Sequence, residues 1–246
     1  MSRVLKGKTV VIAGGSSGMG KAIAREVLRL GARTYIVGRS RIKLDRAVEL
    51  LGGKQAALIA VPMDMMNDDE VTSFFQGFPD KGLDHLVITA SEAVLGSFRK
   101  VSIKEVRATF ESKYLGPYRL TRAALDKMAT GGSITFFSGG SGKRPGTGAS
   151  ALASVNAAVE SLARALAVEL GPDIRVNCCS PGVVKTEIYD FIPEASREKM
   201  YQNAAERLPV KRVGTPEEIA RAVLFLMTSG FTTGTTLHVD GGYVVS

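Results

Sequence analysis

Short runs of apolar, β-branched residues alternate along this chain with longer stretches whose apolar side chains recur every three or four positions. Thr9–Ala13, Thr34–Val37, Ala56–Val61, Leu83–Thr89, Ser133–Phe137, Ile174–Cys179 and Leu237–Val239 read as strands. Several are apolar almost throughout, as strands buried on both faces are. Between them, Ile23, Val27 and Leu30 keep helical spacing until Gly31 stops the run. Leu44–Leu51 predicts a second helix, and Asn67–Glu70 opens a third. A long helix is predicted over Val101–Tyr118, continuing to Met128 with an interruption near Gly116-Pro117. From about Ser150 to Leu170, Val155, Val159, Leu162 and Leu166 share one face. Thr215-Pro-Glu-Glu218 is a capping box opening a helix to Met227. Such alternation predicts an α/β fold, a doubly wound parallel sheet with helices on both faces and ligand at the carboxyl ends of the strands. No linker, repeat or low-complexity stretch divides residues 1–246, so a single domain is expected.

Glycines interrupt this pattern at one telling place. Directly after Thr9–Ala13 come Gly14, Gly18 and Gly20, and then the first helix. Strand, glycine turn and helix start aim free backbone N–H groups and the positive end of a helix dipole at a phosphate. Gly14 is expected to allow the turn, Gly18 to let the backbone approach a pyrophosphate, and Gly20 to permit close helix packing. The second strand ends at Gly38-Arg39-Ser40. In dinucleotide folds an acidic residue at this strand end accepts from a free ribose 2′-hydroxyl, whereas arginine suits a 2′-phosphate. Gly38 holds that position and Arg39 follows it, which points to NADP(H). The other reading of Arg39 is a surface residue stacked on adenine.

Composition narrows the partners. A hydrophobic fraction of 45% and a mean hydropathy of +0.09 fit a soluble chain with a sizeable core. No membrane span or signal peptide is expected, and cytoplasmic location follows from that reading. Cys178 and Cys179 are neighbours on a strand and therefore face opposite sides, as small core residues in a reducing compartment. With only His85 and His238 as imidazoles, no metal site is expected. The net charge of +8 is scattered over the chain, so a solvated surface and an anionic cofactor explain it better than nucleic acid does.

The spacing Gly14-x-x-x-Gly18-x-Gly20, with Asp64, Ser180-Pro-Gly182, Thr186 and Asp240-Gly-Gly242, resembles the short-chain dehydrogenase/reductase family over nearly the whole length. The resemblance implies a Rossmann-type fold and an NADP(H) cradle. Its phosphate end would be Gly14, Ser16, Ser17, Gly18, Met19 and Gly20, with Arg39 and Ser40 at the 2′-phosphate. Asp64, Met65, Ala90 and Ser91 would line the adenosine side, and Pro181, Gly182, Val184 and Thr186 would hold the nicotinamide carboxamide. It further implies a homo-oligomer, a tetramer or a dimer; the stretch over about 187–208, with Tyr189, Phe191 and Tyr201, has the mixed character of a mobile lid.

The chemistry departs from the family pattern. Members use a serine after the fifth strand, Tyr-x-x-x-Lys on the next helix and an asparagine on the preceding long helix; the tyrosine protonates the substrate oxygen. Here those positions hold Gly139, Leu152, Asn156 and Lys113. None of the 6 tyrosines is followed four positions later by lysine. Replacement polar groups are Lys113, Ser138, Ser141 and Asn156, with Lys143 and the lid tyrosines beyond them. Lys113 has two readings: a solvated helix lysine, or an ammonium entering the polar pocket from the opposite wall. Two functions follow. One is an NADP(H)-dependent reductase of an activated C=N, C=C or C=O group in a small molecule. The alternative is a non-redox role, as a cofactor-binding pseudoenzyme, a sensor or a cyclase reusing the pocket.

Overall fold

The computed structural model describes residues 4–53, 55–90 and 92–246. Seven strands form one sheet: β1 (Thr9–Ala13), β2 (Arg33–Gly38), β3 (Leu58–Pro62), β4 (Leu83–Ile88), β5 (Met128–Phe137), β6 (Ile174–Pro181) and β7 (Thr236–Val239). All pairings are parallel, and the order is β3-β2-β1-β4-β5-β6-β7. Chain order reverses between β1 and β4, and the crevice above such a switch point is where doubly wound folds bind ligands. The helices are α1 (Gly18–Arg29), α2 (Arg41–Leu50), α3 (Asp68–Gln76), α4 (Ile103–Phe110), α5 (Gly116–Ala124), α6 (Ser150–Glu169), α7 (Glu194–Arg207) and α8 (Pro216–Thr228).

The sheet separates two apolar cores. Val11, Leu86, Ile134 and Val176 face one, with Leu120 and Val159 from the helices. Val10, Ile12 and Val87 face the other, with Ile23, Val27 and Val223. Cys178 belongs to the first core and Cys179 to the second, as strand alternation requires, and both thiols are free. Asn67 caps α3 by accepting from the Asp69 and Glu70 N–H groups, and the capping box at Thr215 and Glu218 opens α8.

One expectation needs correction. The long helix begins at Ile103, behind a Ser102–Glu105 capping box, and Met128 already belongs to β5, paired with Leu83. Its interruption is a π-helical turn, Glu111–Leu115, ahead of Gly116. Pro117 has no N–H to give the Lys113 carbonyl one turn back, so the regular ladder fails there. The segment expected as a lid holds the regular helix α7, with the short turn Glu187–Tyr189 before it. Finally, α6 is long and apolar enough to cross a membrane by length and composition, with a hydropathy of 1.3. That apolarity has a packing cause: Val155, Val159 and Leu162 cover the sheet.

Candidate active site

The glycine turn is dictated by steric need. Gly14 leaves β1 with φ of 87°. A Cβ on it would stand 2.5 Å from Thr89 Oγ1 and 2.6 Å from the Ala90 nitrogen. Gly20, in the first turn of α1, lies so close to the Gly14 carbonyl that a Cβ would overlap it. The turn is clamped on both flanks: Gly14 N–H donates to the Val37 carbonyl (2.8 Å) and Ala90 N–H to the Ala13 carbonyl (3.1 Å). Only backbone without side chains fits between these neighbours, and this brings the α1 N-terminus to the groove, where its Gly18 N–H donates to Glu187 Oε2 at 2.7 Å.

Above the turn lies a groove of about 890 Å³. Ser16, Ser17, Gly18 and Met19 line one wall, Arg39 and Ser40 the β2 side, and Thr186 the far side. A smaller cavity of about 100 Å³ continues beside Asp64, Met65 and Ala90. Most of the expected cradle is thus brought together. Ser40 also caps α2, accepting from Lys43 N–H. Asp64 turns its carboxylate to the Met66 N–H, 3.0 Å away. Ser91 lies outside the described residues. Pro181 ends β6, Gly182 N–H donates to the Val239 carbonyl, and Val184 is buried against the second core. These three stand outside the lining of both cavities, so Thr186 alone represents the expected carboxamide segment there.

Gly139, Leu152, Asn156 and Lys113, the positions expected to hold serine, tyrosine, lysine and asparagine, stand outside the lining of both cavities. Gly139 backs onto Asn156: a Cβ would lie 3.0 Å from the Asn156 amide nitrogen. That amide donates to Ser141 Oγ (2.8 Å) and to the Gly139 carbonyl (3.4 Å). The Asn156 carbonyl oxygen is buried and has no hydrogen-bond partner among the described residues. An unsatisfied buried acceptor is costly, and here it suits a hydroxyl donor such as a ribose. Leu152, one turn earlier on α6, is half-buried and offers no proton.

Lys113 is not a solvated lysine. It is 6% exposed, and its ammonium donates to the Phe137 and Ser138 carbonyls, each at 3.4 Å, at the carboxyl end of β5. The π turn is responsible, since it directs both Ser112 and Lys113 inward. Burial lowers the lysine to about 8, against a smaller upward influence of Cys178. Ser138 turns into the interior, where its hydroxyl donates to Glu160 Oε1 at 2.9 Å. Glu160 was missed by the sequence reading. It is 4% exposed, and its signal was a lone carboxylate one turn beyond Asn156 beside Val159. Tyr189 and Tyr201 meet edge to face, with Tyr201 buried. Among the described residues no group of three or more His, Cys, Asp or Glu is arranged to hold a metal ion.

Comparison with known proteins places this architecture. Residues 13–244 match the model of the family described as enoyl-(acyl carrier protein) reductase. The short-chain dehydrogenase/reductase malC of Malbranchea aurantiaca is 31% identical, over 98% of this chain and 96% of that protein. The short-chain dehydrogenase/reductase ATR9 of Stachybotrys chlorohalonatus is 30% identical, over 97% of each. Among solved structures, the MalC reductase/Diels–Alderase of Malbranchea aurantiaca superposes with a TM-score of 0.91 at 28% identity, covering 100% of both chains. A small-chain dehydrogenase in complex with NADPH gives 0.81 at 29% identity, covering 97% of this chain and 99% of that one. With its glycine turn, parallel seven-stranded sheet and full-length matches, the chain belongs to the short-chain dehydrogenase/reductase family.

Proposed function

We propose that this chain is an NADP(H)-dependent reductase of a small molecule whose C=N, or conjugated C=C or C=O, group is activated without a tyrosine proton donor. The observation that carries the reading is a preserved glycine cradle beside a leucine, Leu152, at the donor position. The groove fits a dinucleotide by its α1 N-terminus and by Arg39 at the adenosine end, and the orphaned Asn156 acceptor, outside the groove's lining, suits a ribose hydroxyl. When bound, that cofactor supplies a hydride. Gly14, Ser16, Ser17, Gly18, Met19 and Gly20 would hold its phosphates, and Arg39 its 2′-phosphate.

The residues present suit electrophiles that differ from a simple ketone. A ketone gains an alkoxide-like oxygen as hydride arrives, and a positioned acid contributes about 10²–10⁴-fold to such a step. An iminium carbon accepts hydride while its C=N π electrons pass to nitrogen, so the product is neutral and no proton is needed. For an enone the negative charge develops on oxygen, and Lys113 is the candidate to stabilise it and supply the proton. A group near 8 has the balance of charged and neutral forms that such transfer requires. Asn156 keeps the wall polar, while Ser138 is committed to Glu160.

A second reading, cyclisation in the same pocket, draws on the likeness to the reductase/Diels–Alderase. Such a reaction needs neither hydride nor acid. A homo-oligomer, a tetramer or a dimer, in a cytoplasmic setting completes the reading; Val168 on α6 and Phe231 leave apolar surface exposed. Incubation with NADPH and a panel of imines, enones and ketones tests it. NADPH consumption with the first two and little with unactivated ketones is expected. Conversion of a diene substrate without NADPH loss would favour cyclisation, and brisk ketone reduction would contradict the proposal.

A further inference from the structure

Both positions where the groove would meet a cofactor phosphate are held by carboxylates of the protein itself. Glu187 follows Thr186 on the segment that crosses the mouth of the glycine turn. Its Oε2 accepts from the Gly18 N–H at 2.7 Å, and its Oε1 pairs with the Lys21 ammonium. This is the way an anion uses the start of a helix. Burial raises the Glu187 carboxyl, but the Lys21 hydrogen bond and the backbone N–H groups of Glu187 and Gly18 outweigh it and hold the group below the usual range. The side chain therefore sits there as an anion. Thr186 comes down with it: a Cβ on Gly18 would be 3.3 Å from the Thr186 side chain.

At the adenosine end the same arrangement recurs with different residues. The Arg39 guanidinium pairs with Glu92 Oε1, and both residues line both cavities. The base of Glu92 is fixed, since its N–H donates to the buried Ser112 Oγ at 2.8 Å. Arg39 is thus engaged on the side from which a 2′-phosphate would approach.

We infer that Glu187 and Glu92 are internal competitors for the pyrophosphate and 2′-phosphate positions, so that cofactor binding exchanges two carboxylates for phosphates. This rests on the NADP(H) reading above. Release of Glu187 frees the Thr186–Asp190 segment to lift, and frees Lys21 and the Gly18 N–H for the pyrophosphate. Release of Glu92 frees Arg39. A blocked position lowers apparent affinity by the fraction of time it is blocked. The two competitors leave different signatures, because NADPH and NADH share the pyrophosphate while only NADPH carries the 2′-phosphate. Glu187 lowers the affinity of both, and Glu92 sets the ratio between them.

Calorimetric titration of the full chain with NADPH and with NADH, in wild type, Glu187→Ala and Glu92→Ala, tests the exchange. Glu187→Ala is expected to tighten both dinucleotides by the same factor, roughly 3- to 10-fold, as a charge-assisted competitor is removed. Glu92→Ala is expected to tighten NADPH by about 2- to 5-fold and leave NADH unchanged, less so at high salt because that pair is exposed. Glu187→Gln, which keeps the side chain's size, should fall between wild type and alanine. Unchanged or weaker binding of both dinucleotides in Glu187→Ala, or equal shifts for NADPH and NADH in Glu92→Ala, would overturn the exchange alone. No binding of either dinucleotide by any form would overturn the cofactor reading and this inference together.

Discussion

Two regions of the molecule are built on different principles. Around Gly14, Gly18 and Gly20 the site is backbone: N–H groups, a left-handed turn and, at Gly14 and Gly20, no side chain where neighbours come within 3 Å. Around Gly139 and Asn156 the interactions are made by a side chain, the Asn156 amide donating to Ser141 Oγ and to the Gly139 carbonyl. Backbone geometry of this kind leaves few substitutions that keep the fold. Side-chain chemistry can be exchanged when neighbours change together. The Asn156 amide fills the space a side chain at position 139 would need, and Lys113 enters from the facing helix. The contrast teaches that a region built on backbone and a region built on side chains answer differently to substitution.

The largest effect expected from breaking the comparison is at the backbone end. Gly20→Ala forces a methyl into the Gly14 carbonyl, so the turn or the start of α1 must move. Loss of dinucleotide binding and a destabilisation of about 1–3 kcal/mol, the usual cost of overpacking, are expected in titration and urea melts. Unchanged binding would show that the turn is not the rigid part.

Next comes Lys113. Replacing a buried ammonium by methionine is expected to keep or raise stability, since an apolar side chain carries no desolvation cost. Enone reduction should fall by about 10²-fold or more, whereas reduction of an iminium should hold or improve, because no proton is required and a nearby positive charge is removed. The pH profile carries a second signature. Lys113 is lowered to about 8, so its donor form is depleted as pH rises through that value, and wild-type enone turnover should decline above about pH 8. Equal loss on both substrates would assign Lys113 a structural role. A smaller effect sharpens the adenosine end: Arg39→Ala should weaken NADPH by roughly tenfold and NADH hardly at all. Equal weakening of the two would favour stacking on adenine instead.

How much of this was legible in the sequence follows the same division. Strand runs, the α8 capping box, the opposed faces of Cys178 and Cys179 and the glycine turn are local signals, and local signals survive in sequence. The boundary of the long helix did not. Met128 is drawn into β5 by pairing with Leu83, a contact spanning distant residues. The inward course of Lys113 depends on a π turn, whose cause at Pro117 was visible but whose outcome was not. Glu92 and Glu187 carried no signal at all, because their partners Arg39, Gly18 and Lys21 are brought to them only by the fold.

A crystal structure with NADPH bound tests the proposed cradle and reacting end most directly. It should show the 2′-phosphate on Arg39, the pyrophosphate at the Gly18 N–H in place of Glu187, and a ribose hydroxyl donating to the Asn156 carbonyl oxygen. Lys113 should remain on the nicotinamide side of β5. A dinucleotide bound elsewhere, or Lys113 turned to bulk solvent with its place taken by water, would contradict it.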